Sequence, residues 1–131
     1  MSRQNVEIMR RQYEAVNRKN LTSMLERFDP EAEWWDRADD PDATVHRGRD
    51  ATTKHCAEVE DLAEGRIEPK EFIDAGDWVV VPVRLIGRGR TSGAPFHEQE
   101  VHVFRLRDGK ITEFREYREM SEALKAVGPE E

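Results

Sequence analysis

Along the first half of the chain the apolar positions recur at helical spacing. Val6, Met9, Tyr13 and Val16 are separated by three, four and three residues behind Ser2, a capping-type residue, and predict an amphipathic helix over about residues 3–19. Asn20 is placed to cap a shorter second helix carrying Leu21, Met24, Leu25 and Phe28. Asp29-Pro30 ends it, because the residue before a proline is pushed out of the helical region. Glu33-Trp34-Trp35-Asp36 reads as a short strand whose two indoles point to opposite sides, so only one of them can face an interior. After the acidic turn Asp39-Asp40-Pro41-Asp42, Asp50 is placed to cap a third helix over about residues 51–64. His55, Cys56, Val59, Leu62 and Ala63 form its inner stripe, and Gly65 its stop.

Beyond Gly65 the period changes from 3.6 to 2. Residues 67–74, 78–86, 94–106 and 110–117 read as four strands, and the short turns between them imply antiparallel pairing. A last short helix over 121–127 ends at Gly128-Pro129, with 128–131 as a frayed tail. Helices first and a sheet afterwards predict a single α+β domain spanning 1–131. Long strands with bends wrap instead of lying flat, so the expected architecture is a cone-shaped α+β barrel enclosing an apolar pocket.

The strands suggest which side chains face that pocket. Val79, Val81, Val83 and Leu85 form an entirely apolar alternate set that should face the helices, with Val81 and Val83 in the pocket wall. Trp78 and Val80 fall on the other face, exposed there as a candidate homodimer surface. A three-residue turn at Arg107-Asp108-Gly109 sets Phe104 opposite Thr112 and His102 opposite Phe114, and puts Glu100, His102, Phe104, Thr112, Phe114 and Glu116 on one face. A two-residue turn shifts the pairing by one and brings Glu113, Arg115 and Tyr117 beside His102 instead. A histidine and a carboxylate on an apolar inner face can share a proton, and the apolar surroundings raise the carboxylate pKa toward the range useful for acid–base work.

Composition narrows the partners. A net charge of −7 disfavours nucleic acid and anionic membranes, and no run approaches the roughly 18 apolar residues of a membrane span. The N-terminal residues have no signal-peptide core, and the single Cys56 suits a reducing compartment, so the expected location is cytoplasmic. No cofactor is expected and no metal, since His46, His55, His97 and His102 show no tight ligand spacing. The string Gly87-Arg88-Gly89-Arg90-Thr91-Ser92-Gly93 joins two strands and opens no helix, which makes it a hairpin loop, not a phosphate cradle.

Several strings together resemble the SnoaL-like proteins of the nuclear transport factor 2-like superfamily, to which the ketosteroid isomerases also belong. They are residues 13–21, Glu33-Trp34-Trp35-Asp36, His46-Arg47-Gly48-Arg49-Asp50-Ala51, and the run from His102 to Ile111. In the polyketide cyclases that name the family, a histidine on the penultimate strand and an aspartate on the last act on a polycyclic substrate without a cofactor. The resemblance puts these roles on His102 and Glu116, with glutamate one methylene longer than the family's aspartate. It also implies that Tyr13, Trp34 and Asp36 bound the pocket. His46 and His55 approach the interior too, and Phe104 and Phe114 share the inner face with His102 in the three-residue register, which together suggest a site for a small hydrophobic molecule. The fold hosts binding modules and dimeric scaffolds as well as enzymes, so a non-catalytic pocket protein is the alternative.

Overall fold

The computed structural model describes residues 2–128, and side chains from Arg3 onward, so the expected tail lies, past Gly128, outside the described residues. The elements are α1 (Ser2–Asn17), α2 (Leu21–Glu26), β1 (Phe28–Trp35), β2 (Val45–Arg47), α3 (Gly48–Leu62), β3 (Ala63–Pro69), β4 (Ile73–Ala75), β5 (Trp78–Gly89), β6 (Pro95–Arg107), β7 (Lys110–Tyr117) and α4 (Met120–Ala126). One curved sheet runs in the order β2-β1-β7-β6-β5-β3, with β4 also pairing β5. Every pairing is antiparallel except that of β1 with β7. The α+β class predicted from the chain is the one observed.

The helical hairpin forms for the expected reasons. Met9 and Tyr13 bury the inner stripe of α1, and the Asn20 side chain accepts from the Ser23 amide at 3.1 Å to cap α2. Asn17 closes α1 by clamping both backbone groups of Ile67, each at 2.8 Å, which ties the helix end to β3.

Three boundaries differ from the sequence expectation. Strand β1 begins at Phe28, well before Glu33, and Pro30 lies inside it. The β1–β7 register slips between Phe28 and Glu33, where a residue without a backbone donor is tolerated. Helix α3 begins at Gly48, so Asp50 is not its cap but sits in its first turn, where a negative charge complements the helix dipole. It ends at Leu62, leaving Gly65 inside β3 opposite Gly87. A Cβ on either glycine would lie 2.2 or 2.1 Å from a backbone carbonyl of the other strand. The expected inner stripe of α3 is also corrected: Thr52 is fully buried, while Val59 and Leu62 are exposed.

Val79, Val81 and Val83 pack with Met9, Tyr13, Phe28 and Ile111 in the main core, as their alternation requires. On the opposite face Val80 is not the exposed residue expected. Together with Val101, Val103 and Ala123 it forms a second core beneath α4, with Trp78 packed against it. Pro82 keeps its place in the β5–β6 ladder. Its missing donor falls where β3 gives way to β4, and its carbonyl accepts from Lys70 at 2.9 Å.

The last hairpin combines both registers. Asp108 and Gly109 have φ of 52° and 80° and make a two-residue turn, with Arg107 opposite Lys110 and Leu106 opposite Ile111. That turn alone would send Glu113 and Arg115 inward. A bulge at Thr112, whose hydroxyl donates to the Arg105 carbonyl at 3.3 Å, then shifts the pairing. Beyond it Phe104 lies opposite Phe114 and His102 opposite Glu116. Glu100, His102, Phe104, Phe114 and Glu116 thus share the inward face as in the three-residue register, with the pairs displaced by two residues. Thr112 does not: it is bulged out of the ladder, and Ile111 fills the core in its place.

Candidate functional site

Between the helices and the inner sheet face lies a cavity of about 760 Å³. Tyr13, Phe28, Trp34, Phe104 and Phe114 give it aromatic walls, and Leu21 and Val59 are exposed among its lining residues. Of the polar side chains that line it, three groups, around His102, Glu116 and Asp36, carry the chemistry.

The first is a chain of hydrogen bonds centred on His102. The imidazole meets the Tyr13 hydroxyl through Nδ1 at 2.8 Å and Glu100 Oε1 through Nε2 at 3.2 Å. Arg37 donates to Glu100 Oε2 at 2.7 Å and also pairs with Asp39. Because Glu100 accepts, a neutral His102 carries its proton on Nε2, which leaves Nδ1 to accept from Tyr13. The Tyr13 phenol is held well above its ordinary pKa, first by burial and then by the negative charges of Glu116 and Glu100, and so remains a donor.

The second is Glu116. It projects from β7 opposite His102, and Trp34 Nε1 donates to its Oε2 at 3.3 Å. Burial pushes its carboxyl up to about 7, reinforced by Glu100 and Asp36 and opposed by His102 and Trp34. Among the described residues Glu116 and His102 face each other across the strand pair without a hydrogen bond between them.

The third is Asp36 with His46 and His55. Asp36 follows β1, and its backbone amide donates to the Thr44 carbonyl at 3.0 Å, closing the loop that leads to β2. Both oxygens of Asp36 lie 3.2 Å from His46 Nε2, and Oδ1 lies 3.6 Å from His55 Nε2. The two imidazoles stack at 4.1 Å, and Trp34 lies edge-on to His55. Burial, then the neighbouring His46, lowers the His55 pKa.

Of the residues expected at the site, Tyr13, Trp34, Asp36, His55, His102, Phe104, Phe114 and Glu116 line the cavity. Val81 and Val83 do not. They are completely buried in the core that includes Met9 and Tyr13 of α1, and Leu85 and Ile86 further along β5 reach the cavity instead. His46 is not among the lining residues and contacts the site through His55 and Asp36. Trp34 is the inward indole, while Trp35 lies beneath the Arg115 guanidinium, 3.9 Å from its ring centre. Arg37 and Phe28 are site residues that the sequence does not mark, and Glu100, expected on the inner face beside His102, has a role there as well. Glu100 shares the alternation of His102, whereas Arg37 lies in a loop with no periodic signal.

Residues 9–114 match the sequence profile of the family described as SnoaL-like domain. Nogalonic acid methyl ester cyclase from Streptomyces nogalater is 33% identical over 72 residues, which cover 50% of this chain and 54% of that enzyme. The chain thus spans about half the length of this curated relative. Among solved structures, an NTF2-like protein of unknown function from Burkholderia pseudomallei superposes with a TM-score of 0.79 at 24% identity, over 96% of this chain and 98% of that one. A protein with a ketosteroid isomerase-like fold from Catenulispora acidiphila, solved with trimethylamine, superposes with a TM-score of 0.75 at 20% identity, over 95% and 94% of the two chains. These structures share the fold.

Proposed function

Since this chain belongs to the SnoaL-like domain family, we propose that it is an enzyme using general acid–base catalysis on a small hydrophobic or polycyclic molecule, in an isomerisation, cyclisation, dehydration or hydrolysis. The observation that carries this reading is a carboxyl with a pKa of about 7 on the wall of a largely apolar cavity, opposite the His102 imidazole on the neighbouring strand. The relationship to a cyclase over half the chain supports the substrate class.

In this reading Glu116 is the proton carrier. As carboxylate it removes a proton from carbon beside a substrate carbonyl, the C–H electron pair passes into an enolate, and the protonated Glu116 returns the proton elsewhere on the same molecule. Among the described residues Glu116 accepts through Oε2, from Trp34, and makes no hydrogen bond through Oε1, which leaves that oxygen for a substrate. Tyr13 donates its one hydroxyl hydrogen to His102 Nδ1, and His102, braced by Glu100 and Arg37, holds that hydroxyl in place at the cavity wall, where the pair orients the substrate.

The test is turnover of a panel of polycyclic ketones and esters by the wild type and by Glu116→Gln. Activity should rise with pH through an apparent pKa near 7 and fall by about 100-fold or more in the variant. One observation favours a second reading, a binding protein without chemistry: both ring nitrogens of His102 are already engaged by the protein. Tight, stoichiometric binding of the same compounds without turnover, unaffected by Glu116→Gln, would establish that alternative.

A further inference from the structure

We propose that Asp36, His46 and His55 form a binding site for a divalent transition-metal ion at the cavity wall. The three ligands come from separate elements: the residue after β1, strand β2, and α3. Nine and eight residues separate them in sequence, which is why no ligand spacing is visible there. The fold brings one donor atom of each to within 4.8 Å of the others.

The distances fit a shared ion. Donors bound to one tetrahedral zinc at its usual bond lengths stand about 3.4 Å apart. Asp36 Oδ1 is 3.2 Å from His46 Nε2 and 3.6 Å from His55 Nε2, on either side of that value. Two imidazoles and one carboxylate suit zinc, cobalt or nickel better than magnesium or calcium, which take oxygen ligands. Among the described residues the polar contacts of Asp36 Oδ1 and of the two Nε2 atoms stay within Asp36, His46 and His55. The Thr44 amide donates to Asp36 Oδ2 at 3.3 Å, Oδ1 meets the two imidazoles, whose direct contacts an ion would replace, and the edge-on Trp34 ring, 5.1 Å away, holds the His55 plane.

Three protein ligands leave at least one coordination position open. Asp36 and His55 line the cavity and His46 does not, so the open position lies on the cavity side. A bound ion there could polarise an oxygen of the cavity ligand. The site shares no residue with the proton-carrying pair, since neither Glu116 nor His102 belongs to it, and it touches that chemistry through the charge of Asp36.

The experiment uses full-length protein freed of metal with a chelator and then titrated with Co²⁺, followed by visible absorption, and with Zn²⁺, followed by calorimetry. Wild type and His97→Gln, which alters an exposed histidine on β6, should each bind one ion and develop cobalt ligand-field bands. His46→Gln and His55→Gln should each weaken binding by more than about 100-fold, beyond the loss expected for a merely supporting residue. Circular dichroism establishes that each variant is folded. If Asp36→Ala does not fold, the two histidine variants carry the test. Absence of ion binding by folded wild type at millimolar metal overturns the proposal, as does wild-type affinity in both His46→Gln and His55→Gln. Glu116→Gln should bind Co²⁺ like wild type, so loss of the acid–base reading and loss of the metal site give different results.

Discussion

Glu116 is the residue whose surroundings have the clearest energetic consequence. Its folded-state pKa of about 7 lies above the ordinary glutamate value of 4.5, so between these pH values the folded protein binds more protons than the unfolded chain. Stability is therefore lost as the pH rises through that window, and above about 7 the ionised carboxylate costs up to about 3 kcal/mol. Glu116→Gln should accordingly raise the thermal midpoint at pH 8 and leave it almost unchanged at pH 4, and a pair of calorimetric scans would check this. His102 and Glu116 were legible in the sequence because two strands alternate cleanly around them. The Glu100–Arg37 brace was not, since a loop residue reaching 63 positions along the chain leaves no periodic trace. His46 and His55 were read as residues near the interior, but their convergence on Asp36 depends on the pairing of β1 with β2, which short apolar runs do not specify.

At the scale of elements, the β6–β7 hairpin shows how a turn and a bulge together decide what faces inward. Sequence reasoning weighed turn length alone and left two registers open. The missing term was a residue whose own hydroxyl bonds the opposite strand and takes itself out of the ladder. Thr112 is the extra residue of β7 at this point, so replacing it and removing it should both leave the inward set in place. Thr112→Ala keeps the bulge and should cost about 1 kcal/mol or less, the value of one exposed hydrogen bond. Deletion of Thr112 joins Ile111 directly to Glu113, keeps Phe114 opposite Phe104 and Glu116 opposite His102, and should leave unfolding cooperative in a denaturant titration. Helix α3 gives a complementary lesson. Its apolar residues were taken for core, yet Val59 and Leu62 are exposed, and Val59 also lines the cavity. Periodicity identifies an apolar face without saying whether protein, ligand or water lies against it.

For the molecule as a whole, order of elements was enough to predict an α+β architecture, because an antiparallel sheet with one apolar face needs helices to cover it. The second core was not foreseen, since α4 folds back over an outer face that alternation alone marked as surface. Ala123 is completely buried there, so Ala123→Asp should detach α4, expose Val80, Val101 and Val103, and promote association. Size-exclusion chromatography with light scattering would show a shift from the wild-type mass. The parallel pairing of β1 with β7 joins an early strand to a late one, and Trp34 meets Glu116 across 82 residues of chain. During synthesis on the ribosome, β1 therefore waits without that neighbour until almost the whole chain has emerged. The nascent protein cannot assemble this part of its chemistry piecemeal: a chain released before β7 has its first tryptophan in place but no carboxylate for it to hold.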